Sequence, residues 1–317
     1  MGTFRLADSK SAARHYRLIV ALFGLFWLAN AWFQFSGWVQ QGGGTLRAPL
    51  LDVLAKAVKV APVWLQPAPL WFSHVATAID PQTTSLILVA IDLALGLALL
   101  SRRLLVPAGW LGFVYSLFCW VTIGALGYPY GGGQTDPGVF PAYAIAFLFV
   151  LAVAPAIAPD APEGAQPCHR LWRAGSILFA LLWCFDAALK WMPGFLFHFM
   201  DQLTPAVQGQ PAWIVAYIGL IITVVRAVGP TLVAVVVAVA ETALGLSLLS
   251  GVLASLSIPL GFLYSLAVWS SAEGFGGPYG PAGTGVRGDV LGNVLIYALV
   301  FLFLAVGRSR PQDVSAA

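Results

Sequence analysis

Four ionisable side chains lie inside stretches that are otherwise apolar: Asp92, Asp186, Lys190 and Glu241. A charge in such a stretch costs several kcal/mol unless it is paired or hydrated, so each is a functional candidate. Asp186 and Lys190 are four residues apart. On a helix that spacing puts them on one face with the acid N-terminal, the better order for an ion pair. A lysine can donate to a ligand carbonyl and a carboxylate can pass a proton, so the set suits proton-coupled chemistry on an apolar ligand. It suits plainer roles equally: Asp186–Lys190 as a packing device with Lys190 snorkelling to the interface, and Asp92 and Glu241 as hydrogen-bonded buried acids. Both uses stay open on the residues alone.

Other chemistries find less support. His15, His74, His169 and His198 are scattered, which gives no metal-ligand set. Cys119, Cys168 and Cys184 form no CxxC pair, and no haem-attachment motif or nucleophile elbow is present. Two loops, Gly127-Tyr128-Pro129-Tyr130-Gly131 and Gly276-Gly277-Pro278-Tyr279-Gly280, lack the Gly-Lys-Ser/Thr of a phosphate loop and read as sharp turns. Asp136 and Asp289 can cap the helices that follow them.

The elements that must hold these residues follow from composition. The chain has 317 residues, 59% hydrophobic and 9% charged. A soluble domain carries roughly 25% charged residues, so a soluble enzyme is excluded. Disorder and nucleic-acid binding are excluded too, since there is no long charge run or basic stripe. An all-α integral membrane protein remains, with lipid around it. Apolar runs predict eight spans, near 17–36, 83–101, 104–125, 138–158, 173–192, 230–249, 252–271 and 290–307. With the N-terminus cytoplasmic, Arg5, Lys10, Arg14, Arg17, Arg102, Arg103, Arg170, Arg173, Arg308 and Arg310 fall inside. Arg47, Lys56, Lys59, Arg226 and Arg287 fall outside, an asymmetry that puts both ends in the cytoplasm of a bacterial inner membrane. The basic N-terminus followed by an apolar run and Ala29-Asn30-Ala31 imitates a signal peptide, but the run recurs later in the chain and belongs to the fold. Segments 37–82 and 193–229 are rich in Pro, Trp and Phe and read as outer interfacial helices, Leu46–Val60 among them.

The chain repeats itself. Phe23-Gly24-Leu25-Phe26-Trp27 matches Phe179-Ala180-Leu181-Leu182-Trp183, and Asp92-Leu93-Ala94-Leu95-Gly96-Leu97 matches Glu241-Thr242-Ala243-Leu244-Gly245-Leu246. Gly112-Phe113-Val114-Tyr115-Ser116-Leu117 matches Gly261-Phe262-Leu263-Tyr264-Ser265-Leu266, again at an offset near 150 residues. This predicts two four-helix repeats, 1–160 and 161–317, joined near 155–172. An even number of spans in each makes them parallel about the membrane normal. Asn30 and Gln34 stand where the second half has Asp186 and Lys190, so the first repeat reads as scaffold and the second as the one that holds a site.

The second half resembles the DoxX/DoxD family of small membrane proteins, which are similar to the membrane subunit of thiosulfate:quinone oxidoreductase. The likeness rests on Trp183 to Lys190, on Glu241-x-x-x-Gly245, on Glu273-Gly274-Phe275-Gly276-Gly277-Pro278-Tyr279 with Gly283-Thr284, and on Ile296-Tyr297-Ala298-Leu299. It covers about 173–307 well and about 17–158 as a degenerate copy. The Thr-Asp expected after the Pro-Tyr loop is present as Thr135-Asp136 and reads Thr284-Gly285 in the second half. The resemblance implies a quinone-linked oxidoreductase subunit working with partner subunits. Lys190, Glu241 and Asp186 would be catalytic, and Trp183, Glu273, Tyr279 and Arg287 would bind the quinone or an anionic sulfur donor. The alternatives are a non-catalytic subunit of a respiratory or photosynthetic complex, and a small-solute or proton transporter.

Overall fold

The computed structural model describes residues 9–40, 47–127, 137–162, 164–208, 210–276 and 291–308. Among them every regular element is a helix. The first half holds α1 (Ser9–Gln40), α2 (Arg47–Val60), α3 (Pro67–Ile79), α4 (Pro81–Ser101), α5 (Leu105–Thr122) and α6 (Val139–Ile157). The second holds α7 (His169–Lys190), the single turns α8 (Pro193–Leu196) and α9 (Met200–Leu203), then α10 (Ala212–Val228), α11 (Pro230–Ser250), α12 (Ala254–Ser271) and α13 (Val294–Arg308). Seven of these, α1, α4 to α7, α11 and α12, are long and apolar enough to cross a membrane. The protein is therefore a multi-pass helical membrane protein. α13 is apolar but has only 15 residues, short of the ~20 that cross a bilayer alone.

Helix ends differ from the apolar runs by a few residues, for local reasons. α1 starts at Ser9 rather than near 17, because a formed helix propagates cheaply through polar residues. α7 likewise starts at His169, and it ends at Lys190, since Pro193 opens a new turn. Two helices the apolar runs did not single out, α3 and the turn α8, begin at prolines.

The matched segments adopt matched geometry. Asp80 and Gly229 precede Pro81 and Pro230 with φ of 108° and 109°. Glycine takes that conformation freely, whereas Asp80 offsets its strain by accepting from the Thr83 N–H at 2.9 Å and capping α4. Leu126 and Phe275 both turn at positive φ, 57° and 61°. Trp120 Nε1–H donates to the Pro137 carbonyl at 3.0 Å and Trp269 Nε1–H to the Leu291 carbonyl at 2.7 Å.

Packing follows the same doubling. α1 lies on α4 as α7 lies on α11, and α5 on α6 as α12 on α13. α6 is buried along almost its whole length. It meets α13 through Phe149 and Phe303, whose rings stack 5.4 Å apart and 11° from parallel. In one half Trp27 packs on Tyr143 and Phe147, and in the other Trp183 packs on Tyr297 and Phe301. At Gly112 an added Cβ would overlap the Phe147 ring, and at Gly261 the Phe301 ring. Gly112→Ala and Gly261→Ala should each lower stability by about 1–3 kcal/mol through overpacking, read as a lower midpoint of thermal unfolding in detergent. The two losses should be similar.

Candidate functional site

The end of α7 carries Trp183, Asp186 and Lys190 at helical spacing, so all three project to one side, toward α11 and α12. Glu241 stands midway along α11 and Tyr264 midway along α12. Lys190 Nζ lies 2.9 Å from Asp186 Oδ1 and 3.4 Å from Glu241 Oε2. Tyr264 O–H donates to Glu241 Oε1 at 2.6 Å. Side chains of Asp186 and Lys190 are 9% exposed and that of Glu241 is 5% exposed. Two carboxylates bracketing one ammonium, with a phenol on the second, is how such a group can be held among apolar side chains. The indole Nε1 of Trp183 is buried without a hydrogen-bond partner among the described residues.

These groups line a cavity of about 440 Å³. Its other wall is apolar: Phe195 and Phe199 from the short turns, Val225 from α10, and Val233 and Val237 from α11. The Lys190 ammonium sits 5.4 Å over the Phe195 ring centre, a cation–π contact. Phe195, Phe199, Leu203, Val225 and Ala234 form an apolar cluster separate from the main core.

Glu273 also borders the cavity, but its carboxylate is engaged by the start of α13. Its Oε1 accepts from the Asn293 N–H at 2.9 Å and its Oε2 from the Val294 N–H at 3.1 Å. It acts there as a helix cap, supplying an acceptor to free backbone donors. Tyr279 and Arg287, the other expected binding residues, lie outside the described residues, as do Asp136 and Asp289. The structure thus brings together Trp183, Asp186, Lys190, Glu241 and Glu273. It adds Tyr264, which the sequence reading did not assign to the site. A signal for it was present: a tyrosine follows the buried acid by 23 residues in both halves.

The first half builds the same arrangement without the lysine. Asp92 Oδ1 accepts from Tyr115 O–H and Oδ2 from Gln34 Nε2, both at 3.0 Å. Asn30 Nδ2 donates to Tyr143 O–H at 3.4 Å. Asp92 and Asn30 are buried. Fold and site together define a multi-pass helical membrane protein with one polar cluster that holds a lysine ion pair and one that holds an acid without a lysine, at matching places. Comparison with protein-family models, with curated proteins and with solved structures finds no match.

The contrast between the halves gives a stability test. Lys190→Gln alone leaves two buried carboxylates without their ammonium and should cost about 3 kcal/mol or more. Adding Asp186→Asn, which copies the Asn30/Gln34 set, should recover most of that loss. Unfolding midpoints of the wild type, both single variants and the double variant give the coupling directly.

Proposed function

We propose that the chain is a DoxD/DoxX-like membrane subunit of a quinone-linked oxidoreductase, acting on thiosulfate or a related small sulfur compound at the outer face. The observation that carries this reading is the mixed lining of the cavity: a lysine, two carboxylates and a phenol joined to one another, bordered by aromatic and branched apolar side chains. Its volume lies within the roughly 300–1,000 Å³ of small-molecule sites. A quinone needs such a shape, with donors for its carbonyl oxygens and an apolar slot for its tail. The buried Trp183 N–H, partnerless among the described residues, fits the donor set as well.

A quinone bound there supplies an acceptor of two electrons and two protons. Lys190 holds a proton at Nζ within reach of a carbonyl oxygen in the cavity. Tyr264 and Glu241 form a hydrogen-bonded pair along which a proton can pass, and Asp186 keeps the ammonium oriented. The apolar walls from Phe195 to Val237 disfavour water beside the ligand. Electrons come from a partner subunit or from the sulfur donor itself, with Arg287 and Tyr279 as outer-loop candidates for holding that donor.

The same reading takes the chain as two parallel four-helix repeats, 1–160 and 161–317, with α13 as the eighth span and both termini cytoplasmic in a bacterial inner membrane. Exposed Arg14, Arg17, Arg102, Arg103, Arg170 and Arg173 at the start of α1, the α4–α5 turn and the start of α7 support that orientation. The doubled turns and ring contacts support the repeats.

The test is thiosulfate-dependent quinone reduction in native membranes with the protein, without it, and with it restored. Deletion should remove the activity and restoration return it. Tyr264→Phe should lower the rate about 10–100-fold if it serves proton transfer, beside a stability loss of about 1–3 kcal/mol from the hydrogen bond taken from Glu241. Activity indifferent to deletion would leave the chain a non-catalytic subunit of a larger complex.

A further inference from the structure

One end of the helix bundle collects arginines. The Tyr16 and Trp172 rings meet 5.7 Å apart, so α1 and α7 start side by side. α4 runs back along α1: Gln34 reaches Asp92, and an added Cβ on Gly24 would touch Gly96 and Leu100. The turn from α4 into α5 therefore lies at that same end. Arg14, Arg17, Arg102, Arg103, Arg170 and Arg173 all stand there, and all are exposed. None of the six makes a hydrogen bond or ion pair among the described residues. The segments that adjoin this end in sequence are 1–17, 102–103, 158–173 and 308–317. They hold ten Lys and Arg against four acids, Asp8, Asp160, Glu163 and Asp313. The positive excess stands whichever of those acids approach it.

Two of these helices flank a groove. α5 and α7 both pack on α6. Between them lies a groove of about 410 Å³, bordered by Phe113 and Leu117 of α5, Ala144 of α6, and Leu178, Leu181 and Phe185 of α7. No charged side chain lines it among the described residues. Leu178, Leu181 and Phe185 remain exposed, so the groove opens sideways, toward lipid on a spanning helix. Arg170 heads the same face of α7, since 170, 174, 178, 181 and 185 recur at helical spacing. Arg170 precedes Leu178 by eight residues and Arg103 precedes Phe113 by ten, about 12–15 Å along each helix. One leaflet of a ~30 Å hydrocarbon core is about 15 Å deep. A phosphate held at the arginines thus sets its fatty chain to enter the groove at Phe113 and Leu178.

The other half lacks half of this arrangement. There α12 and α1 flank α13. Arg14 stands on α1 as Arg170 stands on α7, but Gly251-Val252-Leu253 precedes α12 and carries no charge. Arg102 holds φ of 55° where its counterpart Gly251 holds 72°. An arginine is thus kept in a conformation that glycine takes freely.

We propose that the groove between α5 and α7 seats one anionic phospholipid. Arg102 and Arg103 bracket its phosphodiester from one side and Arg170 from the other, and one fatty chain runs into the groove. Guanidinium forks match phosphate oxygens in two-point contacts, and basic pockets between spanning helices suit such headgroups. The inference rests on the membrane-spanning fold and not on the quinone reading.

Positive charge at one end also orients a spanning protein during insertion. Binding measured on the purified full chain in neutral detergent is free of that effect. The probes are dioleoyl phosphatidylglycerol and dioleoyl phosphatidylcholine, with bound lipid counted by native mass spectrometry. The first phosphatidylglycerol should bind at least tenfold more tightly than the first phosphatidylcholine. The Arg102→Gln/Arg103→Gln/Arg170→Gln variant should bring the two within about twofold. Leu178→Trp, which fills the groove and leaves the charge alone, should weaken phosphatidylglycerol about fivefold. Arg14→Gln, in the matching place of the other half, should leave it unchanged. Equal affinity for the two lipids overturns the proposal, as does a preference that survives the triple variant or binding unchanged in Leu178→Trp. Full displacement by inorganic phosphate at matched ionic strength also overturns it, since the site would then take the free anion. Should the triple variant fail to fold, the wild-type preference and Leu178→Trp decide.

Discussion

A lysine ammonium held among apolar side chains must be answered by carboxylates, and Lys190 is answered by two from different helices. The contact with Asp186 is local, one turn apart on α7, and would form in an isolated helix. The contact with Glu241 is not, and it fixes the rotation of α11 against α7. Tyr264 then fixes α12 against α11 through the same carboxylate. Three helices are thereby held in register by one polar knot. The cavity lies beside that knot, with Phe195, Phe199, Val225, Val233 and Val237 along it.

The first half shows what the framework does without the charge. Gln34, Tyr115 and Asp92 tie α1, α5 and α4 together with neutral donors on one acid. The ring contacts beneath, Trp27 on Tyr143 and Trp183 on Tyr297, are alike in kind. Helix registration therefore does not need the lysine. What Lys190 and Asp186 add is an ion pair at a place where the framework already had an acid.

Much of the helix set was legible in the sequence because a membrane span is written as an uninterrupted apolar run, and seven such runs are helices here. The amphipathic stretch before Val60 was legible too, with Asp52, Lys56 and Lys59 exposed while Leu54 and Ala57 are buried. α3 was legible only as part of the segment 37–82 read as interfacial helices, since its Pro, Trp, Phe and Ser content gives no separate run and no clear period. Within the site, spacing gave Asp186 and Lys190 as a pair. Repeat alignment matched Glu241 to Asp92, but only folding brings Glu241 to the lysine. Tyr264 stayed hidden because a tyrosine in an apolar helix reads as packing until its hydroxyl is seen to reach an acid. The cap made by Glu273 was equally invisible, since it joins residues about 20 positions apart across a turn.

The short helices of the two halves are attached differently. Leu50, Leu54, Phe72 and Ala76 of α2 and α3 belong to the continuous main core. Phe195, Phe199, Leu203 and Val225 belong to a small cluster of their own. A segment sharing no buried side chains with the main core can detach without unfolding it. The stretch from Pro193 to Val228 rests instead on α11 through Ala234, and on α12 and the turn after it through the Tyr217–Ser270 hydrogen bond at 3.1 Å and Gln210 Nε2 donating to the Gly274 carbonyl at 3.0 Å. Opening there breaks a small apolar cluster, two side-chain hydrogen bonds and the ring contacts on Phe275, while the main core stays packed.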